Sequence, residues 1–214
     1  MTTLLILGAG GHAKVVADTA LATGIASKIA FLDDRWSTLR PLPPLMGWPV
    51  IGPLTLSLEA ASLDLFDAAV VAIGHSETRL HWIQQLDQFG YRLPSLIHPT
   101  AWVSSSSQLG LGSQVFAQVA VQANSFVGTG TILNTSCSID HDVQLADGVH
   151  ICPGAHLAGH VVVGSRSWIG IGSSIIQNIS IGSDVIVGAG AAVVRDLPNG
   201  VTAVGVPARV VSSS

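Results

Sequence analysis

Every sixth residue from Ile97 to Val193 is aliphatic. Val103, Leu109, Val115, Val121, Val127, Leu133, Ile139, Leu145, Ile151, Leu157, Val163, Ile169, Ile175, Ile181 and Val187 complete a series of seventeen without a miss. Two residues before many of them stands a small side chain, as at Ala101, Ser107, Ser113, Ser125, Cys137, Ala155, Ser167, Ser173 and Ala191. An amphipathic helix returns an apolar residue at intervals of three and four, and a half-buried strand alternates by two over a few residues. Neither keeps a strict six over almost half a chain. A hexapeptide repeat does, and it is the mark of a parallel β-helix. Each hexapeptide then supplies one short strand and one turn, its aliphatic residue pointing inward against the equivalent residue one coil away, so that neighbouring coils bury one another.

The repeat carries little charge: between Ile97 and Val193 the only acidic or basic residues are Asp140, Asp142, Asp147, Arg166 and Asp184. Broad uncharged faces favour packing against copies of the same chain, and a closed homo-oligomer is expected. A net charge of -4 supplies no basic stripe for nucleic acid. Gly, Ser, Asn or His interrupts every apolar run before the roughly 20 residues that a membrane helix needs. No basic leader precedes Leu4, Leu5 and Ile6, so the expected location is the cytoplasm. Two cysteines, Cys137 and Cys152, are too few for a disulfide framework and read as small free thiols, Cys137 inward.

The abrupt start of the repeat divides the chain into residues 1–95 and 96–214. In the first part, an apolar strand over 4–7 breaks into Gly8-Ala9-Gly10-Gly11-His12-Ala13, and a helix is expected over 14–23. Gly8-x-Gly10-x-x-Ala13 fits the Rossmann fingerprint in its G/A form, in which backbone N–H groups approach a phosphate at a helix N-terminus. A plain strand-to-helix connection is the alternative. A second strand over 28–32 ends at Asp33-Asp34, where a carboxylate would meet a ribose hydroxyl or a base. Residues 41–53 hold five prolines and read as a loop with a short extended piece. A helix over 54–63, a buried strand over 68–73 ending at Gly74, a helix over 77–89 and a closing strand over 93–97 complete one mononucleotide-binding half of a Rossmann fold. The second half that a dinucleotide needs has no room, so a nucleotide-linked substrate fits better. Arg79 reads as a solvated helix residue or a phosphate partner.

Polar groups gather in one stretch of the repeat: Asn134, Asp140, His141, Asp142, Asp147, His150, His156 and His160, with four of the chain's eight histidines inside twenty residues. His141 falls two after the inward Ile139, so it projects outward, where an imidazole beside carboxylates is suited to take a proton near neutral pH. Adjacent strand residues face opposite ways, so Asp142 reaches that ring only if the turn bends it back; Asp140 is the other choice.

Ile169-Gly170 and Val187-Gly188 resemble the left-handed β-helix acyltransferases, in which three hexapeptides make one triangular coil. More closely, the glycine loop, Phe31-Leu32-Asp33-Asp34, Ala72-Ile73-Gly74 and the block from Asn134 to Gly159 resemble one subgroup over nearly the whole chain. These are the bacterial sugar acetyltransferases related to the sialic-acid O-acetyltransferases and to the N-acetyltransferases of nucleotide-linked 4-amino sugars. The resemblance implies a Rossmann-like α/β domain followed by a left-handed parallel β-helix with a short C-terminal cap. It also implies a homotrimer with sites between subunits, acetyl-CoA as co-substrate and no metal. Gly8, Gly10, Gly11, His12, Asp33, Asp34 and Gly74 would hold the nucleotide sugar. His141 would be the general base, oriented by Asp142; His150, Gly159, Ser173, Pro207 and Arg209 would meet acetyl-CoA, Gly159 through its backbone N–H. No acyl-enzyme is required, so Cys137 is not a nucleophile. Three readings compete: sugar O-acetylation, a zinc enzyme like the γ-class carbonic anhydrases using His141, His150 and His156, and a non-catalytic nucleotide-sugar-binding protein.

Overall fold

The computed structural model describes residues 2–38 and 42–213, so the expected 41–53 loop begins at a proline outside the described residues. The chain separates into two compact units on either side of the Leu96–Ile97 junction.

The first unit is a four-stranded sheet, order β3-β2-β1-β4, made of β1 (Thr3–Leu7), β2 (Lys28–Leu32), β3 (Val50–Gly52) and β4 (Ala68–Val71), with every neighbouring pair parallel. Leu4 to Leu7 and Ala68 to Val71 are buried throughout, as expected of parallel strands covered on both faces. Three helices accompany them: α1 (Gly11–Ala22), α2 (Ala60–Leu65) and α3 (Ser76–Phe89). Two expectations need correction. The helix over 54–63 is a 3-10 turn, Leu54–Leu58, followed by α2. Glu59 between them is extended, and the Ser57 and Ser62 hydroxyls donate to the Leu54 and Leu56 carbonyls, local bonds that compete with a continuous helical ladder. Nor does 93–97 close the sheet. Ala69 N–H bonds to Arg92 O, Pro94 has no N–H to continue a ladder, and Leu96–Ile97 is instead the edge strand of a β-helix face.

The second unit is the left-handed parallel β-helix. Its strands are two residues long and pair with strands eighteen residues away, as in Ile132↔His150↔Trp168, Ser138↔His156 and Gln144↔Val162. Three hexapeptides therefore make one coil, and three faces make a triangular prism, named below by His150, Ser138 and Gln144. The inward residues from Val115 to Val193 form one continuous core, each fully buried aliphatic side chain contributing about 1.5–3 kcal/mol. The first three positions depart from the rule: Ile97 is exposed and Val103 and Leu109 are half-buried, because the first coil has no preceding coil to stack on. Cys137 and Cys152 are buried free thiols, and burial pushes both up in pKa. The chain turns sharply at each prism corner by placing the third corner residue in the left-handed region. Gln118, Asn124, Ser136, Asp142, His160, Arg166, Asn178 and Asp184 all have φ between 58° and 62°, a conformation in which Asn and Asp are enriched among non-glycine residues. Past Val193, Leu197 still bridges to Ile181, and Val201–Val204 pairs antiparallel with Arg209–Ser213 to close the end of the His150 face. Among the described residues no helix is long and apolar enough to cross a membrane.

Candidate functional site

One corner of the prism gathers the chemistry. Between the Ser138 and Gln144 faces, successive coils place Ala123-Asn124, His141-Asp142, Gly159-His160 and Gln177-Asn178 above one another. Backbone bonds lock the column: Asp142 N–H to Ala123 O, His160 N–H to His141 O and Asn178 N–H to Gly159 O, at 3.0, 3.0 and 3.1 Å. Asp142 has φ 59°. That turn swings its carboxylate back onto the preceding side chain, and His141 Nδ1 donates to Asp142 Oδ2 at 2.8 Å. The Asp140 carboxylate does a different job, accepting the His141 backbone N–H at 2.7 Å. The hydrogen bond to Asp142 raises the pKa of His141, aided by the charge of Asp140, and the same bond lowers the pKa of Asp142. The imidazole is thus held as a base with Nε2 directed away from its carboxylate.

Gly159 is the seat of that ring. A Cβ there would stand 2.5 Å from His141 Cε1 and 2.6 Å from Nε2, so any larger residue would displace the imidazole. The Gly159 carbonyl is used by Asn178, while among the described residues its N–H has no acceptor. His160, marked in the sequence only as one of the clustered histidines, joins the group: Nε2 lies 3.7 Å from Asp142 Oδ2, and its ring meets the His141 ring edge-on with centroids 5.1 Å apart. The corner slot that faces His160 onto Asp142 becomes visible only once the eighteen-residue coil is known. Beside the corner is a depression of about 190 Å³ walled by Gln122, Ser138, Asp140 and Leu157.

His150 lies elsewhere. It is buried on the face opposite this corner, with Asn134 Nδ2 donating to Nε2 at 3.2 Å and its ring 4.2 Å from that of Trp168. The packed core stands between it and His141, so one chain alone does not bring the two together. His156 sits on the Ser138 face and shares a 2.8 Å hydrogen bond with Ser138 Oγ. The three histidines of the zinc-hydratase reading therefore occupy a corner and two different faces. Ser173 requires correction as a cofactor contact: its side chain is fully buried and donates to Gly170 O at 2.8 Å, because it fills the small inward slot before Ile175. Pro207 and Arg209 are exposed, with Arg209 Nη1 donating to Ala208 O.

In the first unit, the glycine loop joins β1 to α1. Gly8 is required there: φ is +102° and a Cβ would meet Ala72 O at 2.7 Å. Gly10 and Gly11 have open space where side chains would stand, Gly10 is an N-cap without a side-chain acceptor, and His12 is the second residue of α1. Asp33 and Asp34, expected to meet the nucleotide sugar, each also have a partner within the chain. Asp33 accepts from the Ala9 N–H at 2.9 Å and from Arg35 Nε and Nη2 at 2.8 and 2.9 Å, and Arg35 Nη2 also reaches Ala9 O. The Arg35 guanidinium is the main reason that Asp33 falls to a pKa of about 2. Asp34 accepts the Leu54 N–H. Arg35, unmarked in the sequence, thus ties Asp33 to the loop beside a cavity of about 290 Å³ that Ala9, Leu45 and Val50 help to line. Arg79 is not solvated. It is fully buried and donates to Ile73 O and Gly74 O at 2.9 and 2.7 Å, and burial lowers its pKa to about 10.

The prism is that of the left-handed β-helix acetyltransferases. Residues 3–86 match the PglD N-terminal domain family. Over the full length the chain is similar to perosamine N-acetyltransferase from Caulobacter crescentus, solved as a His-to-Asn variant with CoA and GDP-perosamine: 38% identity, TM-score 0.91, covering 100% of this chain and 98% of that one. It is similar to the acetyltransferase domain of PglB from Neisseria gonorrhoeae, solved with acetyl coenzyme A, at 43% identity and TM-score 0.91, covering 98% of each chain. UDP-N-acetylbacillosamine N-acetyltransferase of Bacillus subtilis is 36% identical over 117 residues, 55% of this chain and 52% of that protein. The chain spans about half the length of the curated relatives it matches. It belongs to the family of nucleotide-linked amino-sugar N-acetyltransferases.

Proposed function

We propose that this chain transfers the acetyl group of acetyl-CoA to the amino group of a nucleotide-linked amino sugar, in a bacterial glycan pathway. The observation that carries the reading is the corner itself: a raised-pKa imidazole pinned by Asp142, seated on Gly159, whose N–H has no partner among the described residues. His141 Nε2 takes a proton from the sugar amine as its nitrogen attacks the thioester carbon. The Gly159 N–H meets the oxyanion, fixed in place before charge develops there, and coenzyme A leaves as the thiol. The first unit binds the nucleotide part of the acceptor. The uncapped N-terminus of α1 and the open space at Gly10 and Gly11 suit a diphosphate, with His12, Arg35 and the Gly74 turn around it.

Since His150 and its partner Asn134 lie across the core from His141, a site using both draws them from two copies. This supports a homotrimer with acetyl-CoA between adjoining prisms, where Pro207 and Arg209 meet its nucleotide end. Nucleotide sugars and acetyl-CoA both point to a cytoplasmic enzyme. The test is incubation with acetyl-CoA and a panel of UDP-, GDP- and CMP-linked amino sugars and their hydroxyl analogues, with product mass as readout. N-acetylation of one amine, abolished by His141→Ala in a protein that remains trimeric, is the expected result. Turnover unchanged by His141→Ala rejects the mechanism.

A further inference from the structure

The catalytic corner also presents three metal-binding side chains at once. His141, Asp142 and His160 each offer one donor atom, and the three atoms lie within 4.8 Å of one another. Asp142 Oδ2 is 2.8 Å from His141 Nδ1 and 3.7 Å from His160 Nε2. A tetrahedral zinc ion bound at about 2.0–2.2 Å holds its ligands roughly 3.3–3.6 Å apart. Two edges of the triangle already bracket that spacing, and all three lie within 4.8 Å, so shifts of about 1 Å complete the set. Both rings are free to move, their side chains being 52% and 58% exposed. The fold supplies the gathering, since Asp142 and His160 occupy the same left-handed corner slot in consecutive coils. Two imidazoles and one carboxylate suit zinc, cobalt or nickel, whereas magnesium and calcium favour all-oxygen sets.

We propose that this corner binds a divalent transition-metal cation, with zinc the best match, and that the bound ion switches acetyl transfer off. The ion takes the Nδ1 lone pair of neutral His141, and the ring's single proton, shared with Asp142 in the free site, passes through solvent to Nε2. The neutral ring holds its single proton there and has no lone pair for the substrate amine. This site is distinct from a catalytic zinc held by His141, His150 and His156, and only its effect on turnover rests on the role assigned to His141 above.

The test titrates the full-length protein with zinc against a chromophoric chelator. Acetyl transfer is followed by product mass, because zinc also binds the thiol of coenzyme A. Wild type should take up one zinc per chain and lose turnover as it fills. His160→Gln, with its melting temperature as the check on folding, should bind zinc at least about tenfold more weakly, and its turnover, measured against its own metal-free rate, should resist zinc at concentrations that silence wild type. Equal zinc affinity in wild type and His160→Gln overturns the site, and a filled site with unimpaired turnover overturns the switch. One His160-dependent zinc in a protein that acetylates no amino sugar would uphold the site and reject the catalytic reading.

Discussion

Replacing Gly159 by Ala tests the seat of the imidazole. The added Cβ would stand 2.5 Å from His141 Cε1, 2.6 Å from Nε2 and 3.1 Å from Nδ1, whereas carbon atoms in contact sit at about 3.5–4.0 Å. The ring must therefore retreat by roughly 1 Å. The three nearest atoms all belong to that ring, and Gly159 is not among the left-handed glycines, so alanine adopts its backbone without strain. The half-exposed ring swings outward at little cost, and we expect a stability change under about 1 kcal/mol, or a melting shift within about 4 °C. The retreat breaks the 2.8 Å bond to Asp142 and misplaces the base, and a 1 Å error of this kind costs about 10²-fold in rate, equivalent to roughly 2.7 kcal/mol of barrier. Steady-state kcat at saturating acetyl-CoA and amino sugar, measured beside a thermal melt, checks both halves. A wild-type kcat in Gly159→Ala would refute the claim that the imidazole works from this position. A collapsed melting temperature would show that the glycine serves the coil instead.

Asp142→Asn should move the acid limb of the pH–kcat/KM profile. The active His141 is neutral, so activity rises with pH through its pKa; the bond to Asp142 raises that pKa, placing the wild-type limb above the ordinary value of about 6.5. Removing the carboxylate should shift the limb to lower pH, and an unshifted limb contradicts the pairing. Gly8→Ala puts a side chain at φ +102° and 2.7 Å from Ala72 O. It should cost about 2 kcal/mol or more in denaturant unfolding and weaken nucleotide-sugar binding in calorimetry. Arg79→Ala removes the donor to the carbonyls of Ile73 and Gly74; at about 1–3 kcal/mol per unsatisfied carbonyl, urea unfolding should show a loss of about 3 kcal/mol, and a loss below 1 would mean that water replaces the guanidinium.

Periodicity alone carried the β-helix, because an inward residue every six positions is a one-dimensional pattern that stacking requires. The glycine loop, β1, β2, β4 and α3 were likewise legible, since Gly8 answers a local backbone demand and buried parallel strands read as apolar runs. His141 was legible as well: its place two beyond an inward Ile139 directs it outward wherever the coils lie. What needed the tertiary structure were relations between residues that eighteen-residue stacking brings together. Strand alternation points Asp142 away from His141, and only the left-handed turn returns it. His160 reaches Asp142, and Gly159 lies under the imidazole, because the corner repeats one coil later. Ser173 and Arg79 look available in the sequence but are consumed, one filling the inward slot, the other binding the Ile73 and Gly74 carbonyls just past β4. Period and local backbone need are properties of a string of residues; which polar groups are already partnered is settled only when the coils and the sheet close around them.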